Sequence, residues 1–158
     1  MKGSIAIRAA WTLMAFFALA AILPAVGQEN GSKAQGSWAI SIKKSEITPT
    51  AKFYSIKIND KPVEIFAVRA FDGTIRTALN TCQVCYASSR GYFKQEGNIF
   101  ICQNCGNRFS LDQIGKGRGG CNPIPILGKD KTDLGDSIGI SEKYLRSVAP
   151  YFEKWKKI

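Results

Sequence analysis

Residues 82–106 read CQVCYASSRGYFKQEGNIFICQNCG and hold two Cys-x2-Cys pairs with sixteen residues between them. An x2 spacing folds into a tight knuckle whose two sulfurs converge, so two knuckles can supply the four thiolates of a tetrahedral metal site. Gly106 follows the second pair, where a knuckle turn often needs a residue that tolerates positive φ. The pattern therefore predicts a thiolate metal site formed by Cys82, Cys85, Cys102 and Cys105.

Disulfide bonds are the alternative use of these cysteines, because thiols of exported proteins meet an oxidising compartment. A Cys-x2-Cys disulfide is also the active unit of thioredoxin-like oxidoreductases, which carry one such pair at the start of a helix. Here two pairs flank a predicted hairpin. The chain has five cysteines, so pairing them in disulfides would leave one thiol free. The spacing favours metal over disulfides.

Cys121 is the fifth cysteine and lies in the stretch Gly119-Gly120-Cys121-Asn122-Pro123. A free cysteine is often a small buried hydrophobe. The glycines before it and the Asn-Pro turn after it suit a sulfur presented at a tight corner. We therefore include Cys121 among the candidate metal ligands, as a thiolate that swaps into the site or completes it. The glycine-rich loop 115–120 is expected to let the backbone approach the cysteines.

The chain contains no histidine, and this excludes several kinds of site. Covalent c-type haem, mixed Cys/His zinc ligation and Rieske ligation all need histidine. A Ser/His/Asp constellation is excluded as well, and no paired carboxylates stand at useful spacing, so hydrolytic catalysis is not expected. The remaining candidates are zinc, a single iron, an iron–sulfur cluster and copper(I).

The rest of the pattern predicts a β-rich α+β domain with a small antiparallel sheet, a cysteine knuckle site and a C-terminal helix. Residues 38–43 alternate with period two, 53–68 reads as a hairpin around Asn59-Asp60-Lys61, and 74–79 returns as a third strand. A short hairpin is expected around residues 95–98. Ser141 is a candidate helix cap, and Pro150 should kink or divide the helix that follows.

The N-terminus has the pattern of a secretory signal peptide. Lys2 and Arg8 precede an uncharged apolar run from Ala9 to Leu23, and small residues follow Pro24. We expect cleavage before Gln28, with retention as an N-terminal anchor as the alternative. Residues 28–36 are polar and resemble a flexible linker, so that 37–158 forms a single domain that binds metal through its cysteine cluster.

The segment after the signal peptide is basic. Two of the 22 Lys and Arg residues lie in residues 1–27 and none of the 12 acidic residues does, which leaves a net charge of +8. The predicted export and the scattered placement of the charges argue against nucleic acid as a partner. A solvated surface with some attraction to anionic membrane headgroups explains the charge better.

Residues 66–126 resemble the FtrD-like family of membrane iron–sulfur proteins. The matching elements are Phe66-Ala67-Val68-Arg69, Phe71-Asp72-Gly73, Cys82-x2-Cys85-Tyr86, Gly91-Tyr92, Cys102-x-Asn104-Cys105-Gly106, Phe109 and Gly119-Gly120-Cys121-Asn122-Pro123. The last of these, placed after two Cys-x2-Cys pairs, is the most specific. Many members carry a multi-span membrane region ahead of the cysteine domain. We expect this chain, with its N-terminal apolar segment, to be a stand-alone exported cysteine domain.

The resemblance implies an iron or iron–sulfur centre held by Cys82, Cys85, Cys102, Cys105 and Cys121. It implies electron transfer in bacterial iron uptake, beside an inner-membrane iron permease or electron-transfer components. The expected location is the periplasm or the outer side of the inner membrane. The resemblance does not imply an enzyme. Two alternatives stay open, a structural zinc ribbon that docks to a partner and a thiol-redox or copper-handling protein.

Overall fold

The computed structural model describes residues 38–117 and 119–158. The predicted signal peptide, 1–27, and linker, 28–36, lie outside these ranges. Within the described ranges, no helix is both long enough and apolar enough to cross a membrane.

The described residues form a β-rich α+β fold, as the sequence predicts. Its strands and its α-helix, in chain order, are β1 Trp38–Lys43, β2 Lys52–Ile58, β3 Lys61–Arg69, β4 Ile75–Cys82, β5 Phe93–Glu96, β6 Ile99–Cys102, β7 Arg108–Ser110, β8 Pro123–Pro125, β9 Thr132–Asp133, β10 Ser137–Ser141 and α1 Glu142–Val148. Short 3-10 turns lie at Lys44–Glu46, Cys85–Ser88, Leu111–Gln113 and Ala149–Phe152.

The described strands form three small antiparallel sheets, where the sequence predicts one. Their strand orders are β1-β10-β9, β2-β3-β4-β8 and β5-β6-β7. The predicted hairpin at residues 53–68 is confirmed as β2 and β3, and Asn59 and Asp60 both adopt positive φ, of 49° and 62°. Two positive φ values in a two-residue turn match the right-handed twist of the strands.

A first apolar core lies between the sheet of β1, β10 and β9, the sheet of β2, β3, β4 and β8, and the C-terminal segment. Its buried residues include Ile42, Ile65, Leu79, Ile140, Leu145 and Phe152. Ser141 caps α1 as predicted, because its hydroxyl accepts a hydrogen bond from the Tyr144 amide at 3.2 Å. The helix ends before Pro150, and a 3-10 turn carries the chain on to Phe152.

A second apolar core joins the β2-β3-β4-β8 sheet to the β5-β6-β7 sheet and includes three of the cysteines. Phe66 on β3 stacks on Phe100 on β6 with ring centroids 4.7 Å apart, and Phe93 meets Phe109 edge-on. Cys82, Cys85 and Cys102 belong to the same buried cluster. The cysteines are therefore held at one margin of a packed core and not on a free loop.

Asn80 is a buried polar residue on β4 that links this core to the C-terminal tail. Its side-chain oxygen accepts from the Phe93 amide at 2.8 Å, and its amide nitrogen donates to the Glu64 carboxylate at 2.6 Å. The Trp155 indole donates to its backbone carbonyl at 2.8 Å. Because buried polar groups are costly when unpaired, these bonds set how β5 packs on β4.

Candidate metal centre

The first cysteine pair lies where the central sheet ends. Cys82 is the last residue of β4, and Cys85 begins the 3-10 turn Cys85–Ser88. The Cys85 amide donates to the Cys82 sulfur at 3.3 Å, which is the knuckle turn that the x2 spacing predicts. The Cys82 amide in turn donates to the Gly91 carbonyl at 2.5 Å. Backbone hydrogen bonds on both sides hold this pair in place.

Gly91 allows the chain to pass against the first knuckle. A Cβ at this position would lie 2.4 Å from the Cys85 carbonyl oxygen and 2.9 Å from the Tyr86 amide nitrogen. Real Cβ atoms do not approach backbone this closely, so a larger residue would displace the knuckle. The requirement for glycine here arises from close packing.

The second pair lies at the end of the neighbouring hairpin. Cys102 is the last residue of β6, and the Gly106 amide closes the knuckle by donating to the Cys102 carbonyl at 2.9 Å. Gly106 has φ +75°, which confirms the prediction made for this position. The Cys102 amide also donates to the Asn107 carbonyl at 2.9 Å, and the Gln103 amide donates to the Tyr92 carbonyl at 2.8 Å.

Cys121 reaches the cluster from the glycine-rich loop, as the sequence predicts. Gly119 and Gly120 adopt φ +88° and +73°. The Asn122 side chain donates to the Gly119 carbonyl at 2.8 Å, and the Gly119 amide donates to the Gln83 side-chain oxygen at 3.0 Å. The Gln83 amide donates to the Asn122 carbonyl at 3.0 Å. Gln83 and Asn122 therefore hold the Cys121 loop against the first knuckle.

The structure brings all five cysteines together, but only four of their sulfurs form a compact group. The sulfurs of Cys82, Cys85, Cys102 and Cys121 all lie within 4.8 Å of one another, and Cys105 stands outside that group. The Cys121 sulfur is 3.1 Å from that of Cys82, 3.9 Å from that of Cys85 and 2.8 Å from that of Cys105. Cys82, Cys85 and Cys102 are buried, Cys121 is partly exposed and Cys105 is exposed, and all five are free thiols.

The compact group of four fits a single tetrahedral ion. A metal–sulfur bond of about 2.3 Å places two sulfurs on one ion about 3.8 Å apart. The sulfur of Cys121 would therefore move away from that of Cys82 by less than an ångström, while its distance to Cys85 already matches. Thiolates that bind different irons of a cluster would stand farther apart than sulfurs on one ion. The donor set suits zinc, iron or copper(I), which all accept thiolates.

At three of the five cysteines, the surroundings favour the protonated thiol when no cation is bound. A hydrogen bond with Cys82, together with burial, raises the pKa of Cys102 to about 12. Burial raises the pKa of Cys121 and that of Cys85 as well. A bound cation would favour the deprotonated form of each ligand, because metal ions bind thiolates and not thiols. The cluster is thus suited to bind a cation with release of protons.

Three residues that hold the cysteines were not singled out in the sequence for that purpose. They are Gln83, Gly91 and Asn122. The Asn-Pro turn after Cys121 was a signal for Asn122, since asparagine often bonds nearby backbone groups in turns. Nothing in the sequence marks Gln83 or Gly91 as a neighbour of Cys121 or Cys85, because those contacts come from long-range packing.

Comparison with known proteins agrees with the motifs. A family model described as "Membrane iron-sulfur containing protein FtrD-like" matches residues 47–152, about two thirds of the chain. No curated protein matches. Among solved structures, the chain is similar to a crystal structure of the quaternary ammonium Rieske monooxygenase CntA with an inhibitor, at 17% identity and a TM-score of 0.44. That likeness covers 67% of this chain and 31% of the other, so the chain spans about a third of that protein's length.

Proposed function

The chain belongs to the FtrD-like family of membrane iron–sulfur containing proteins, and on this premise we propose that it is an exported protein that binds iron through its cysteine cluster and transfers electrons in bacterial iron uptake. The observation that carries the proposal is the group of four sulfurs within 4.8 Å of one another. Four thiols in so small a volume match the donor set of a metal that prefers thiolates.

The placement of the cysteines supports a one-electron centre. When bound, iron in a four-thiolate site can cycle between two oxidation states. The strands β4 and β6 hold Cys82 and Cys102 rigidly, so the ligands need to move little when the charge changes. The buried aromatic rings of Phe93 and Phe100 belong to the same cluster as these cysteines and limit the access of water to them.

The exposed side of the cluster is where an electron would pass to a partner. Cys105 is exposed, and Val84, inside the first knuckle, is 59% exposed. Cys82, Cys85 and Cys102 are buried, and Cys121 is partly exposed. A partner that docks at this side would approach the sulfurs closely without unfolding any strand.

Location and partners follow from the N-terminal pattern and the family. We propose that residues 1–27 direct export and that the domain works in the periplasm or on the outer side of the inner membrane. Its partners would be an inner-membrane iron permease or electron-transfer components. The net charge of +8 on residues 28–158 suits attraction to an anionic membrane surface.

The test is to produce the full chain in a bacterial host and purify the exported protein without oxygen. Metal analysis and the absorption spectrum are compared with those of Cys82→Ser and Cys102→Ser, with Val84→Ala as the matched control from the same knuckle. We expect about one iron per chain, thiolate charge-transfer bands, loss of both in the cysteine variants and retention in the control. The N-terminal sequence of the exported protein reports whether cleavage occurs before Gln28.

A structural zinc site is the second candidate, and the compactness of the four sulfurs favours it. One colourless zinc per chain from cells grown with ample iron would contradict the iron proposal and assign the cluster to stability. A chain without metal and with two disulfides by mass would contradict both and favour thiol-redox chemistry. A reversible one-electron couple in the iron-loaded protein would support electron transfer. Its absence would contradict electron transfer and leave the proposal of iron binding standing.

A further inference from the structure

We propose that the cluster is a ligand-exchange site in which Cys82, Cys85 and Cys102 hold the metal ion throughout, while Cys121 and the exposed Cys105 alternate as the fourth thiolate. The inference rests on the proposed metal binding and adds to it a route by which an ion enters and leaves. It concerns the kinetics of loading, which neither the family nor the proposed electron transfer specifies.

Three of the five cysteines are fixed by the fold. Cys82, Cys85 and Cys102 are at most 8% exposed. The amides of Cys82 and Cys102 donate to the carbonyls of Gly91 and Asn107, and the Cys85 amide donates to the Cys82 sulfur. Moving the backbone that carries these three sulfurs would break hydrogen bonds at the margin of the core, which is costly.

The other two cysteines compete for one corner of the tetrahedron. An ion of this kind takes four thiolates, and the cluster offers five. The surplus thiol is Cys105, because it stands outside the compact group of four. Its sulfur lies 2.8 Å from that of Cys121, so both sulfurs reach the same corner of the cluster. Cys105 can therefore replace Cys121 with little movement.

Both competing cysteines sit on backbone that lies outside the strands. Cys121 follows two glycines with positive φ, and its loop is held by the side chains of Asn122 and Gln83. Cys105 is in the turn before Gly106, which also has positive φ. Either sulfur can move without breaking the pairing of β4 or β6.

The exchange conserves charge and changes no oxidation state. The Cys105 thiol loses its proton to solvent as its sulfur binds the ion, and the Cys121 thiolate takes up a proton as it leaves. The ion keeps four ligands before and after. In the Cys105-bound arrangement, one ligand is exposed, so a thiolate or other soft ligand from outside can displace it. The cargo class is a thiolate-seeking divalent or monovalent d-block cation, such as ferrous iron.

The experiment uses the full chain loaded with Zn²⁺ or Co²⁺ and follows extraction by an excess of a chromophoric chelator. Co²⁺ reports the number of bound thiolates through its charge-transfer absorption.

We expect Cys105→Ser to bind one ion with a four-thiolate spectrum and to release it about tenfold more slowly, because the exposed route is lost. Cys121→Ser should also bind one ion, through Cys105, and release it faster. The double variant should show a three-thiolate spectrum, and Asn98→Ala, in the exposed turn of the second hairpin, should match the wild type.

Two outcomes would overturn the exchange while leaving metal binding intact. If Cys105→Ser loses the four-thiolate spectrum as Cys82→Ser does, Cys105 is a permanent ligand. If Cys105→Ser releases metal at the wild-type rate, Cys105 is a bystander. A wild-type chain that binds neither ion would overturn the proposed function itself, and the exchange with it. Circular dichroism of each apo variant separates loss of a ligand from loss of the fold.

Discussion

The sulfur of Cys121 lies 3.1 Å from that of Cys82, although 39 positions separate the two residues in the chain. The contact depends on the pairing of β4 with β8, in which Cys82 stands opposite Pro123. The Gln83 amide adds a bond to the Asn122 carbonyl beside it. The edge of the central sheet and the candidate metal centre are thus one structural unit, and a change in either should be felt in the other.

Removal of the metal should loosen the second hairpin and the β4–β8 edge of the central sheet and leave the β2–β3 hairpin intact. A ligand that binds only the folded state stabilises it by mass action, and the site joins β6 to the end of β4. We expect a strong chelator to lower the thermal midpoint and to speed amide exchange in residues 92–106. Amides of β2 and β3 serve as the internal reference. Equal loss of protection in both regions would show that the two cores unfold together.

Asn122→Ala should weaken metal binding by about ten- to a hundredfold, the usual effect of removing a group that orients a ligand. The Asn122 amide holds the Gly119 carbonyl at 2.8 Å, and without it the Cys121 loop is less confined. Chelator competition measures the affinity. The matched control is Asn98→Ala in the exposed turn of the second hairpin, which should bind as the wild type does. Equal metal affinity in both variants would show that Asn122 does not position Cys121 for metal binding.

Gly91→Ala should disrupt the first knuckle, because its Cβ would meet the Cys85 carbonyl oxygen at 2.4 Å. We expect a loss of about 2 kcal/mol or more in the free energy of unfolding, together with loss of metal. Gly117→Ala is the control, since nothing lies within 4 Å of the corresponding Cβ. Denaturant titration of both variants checks the difference, and a Gly91→Ala protein as stable as the control would contradict the packing argument.

Glu64→Ala should cost about 2–3 kcal/mol of stability, because it leaves the buried Asn80 amide without its acceptor. The Glu64 side chain is 6% exposed and also receives a bond from Lys157 at 2.8 Å. Lys157→Ala should cost less, because that side chain is 38% exposed. A double-mutant cycle by denaturant unfolding gives the coupling, which we expect to be favourable. Lys154→Ala, at an exposed tail position, is the control, and an additive cycle would show that Lys157 does not stabilise the carboxylate.

Lys131→Met should remove a rise in stability at alkaline pH. Burial, and secondarily the charge of Arg76, lowers the pKa of Lys131 below its usual 10.5. A lowered lysine pKa means that the unfolded chain binds more protons between the folded pKa and 10.5, so stability increases with pH across that window. Thermal unfolding from pH 7 to pH 10 tests this, with the exposed Lys129→Met as control. A wild-type slope no steeper than that of Lys131→Met would contradict it.

Local features of the fold follow from local sequence. The alternation in residues 38–43, the hairpin around Asn59 and Asp60, the cap at Ser141 and the positive φ of Gly106 are all confirmed. Each depends on interactions within a few residues, so composition and spacing are sufficient to predict it. The division into three sheets could not be predicted, because β1 pairs with β10 and β4 with β8 across long stretches of chain.

The sequence by itself determined the chemistry of the candidate site and the family. With two Cys-x2-Cys pairs and no histidine, the cluster offers thiolates and no imidazole nitrogen, because ligand type is a property of side chains and knuckle formation is a property of short spacing. Only the tertiary structure decided which sulfurs form the compact group. The pairing of β4 with β8 brings Cys121 into it, and the exposed turn before Gly106 leaves Cys105 at its edge. Such choices depend on contacts between distant segments, which no local pattern encodes.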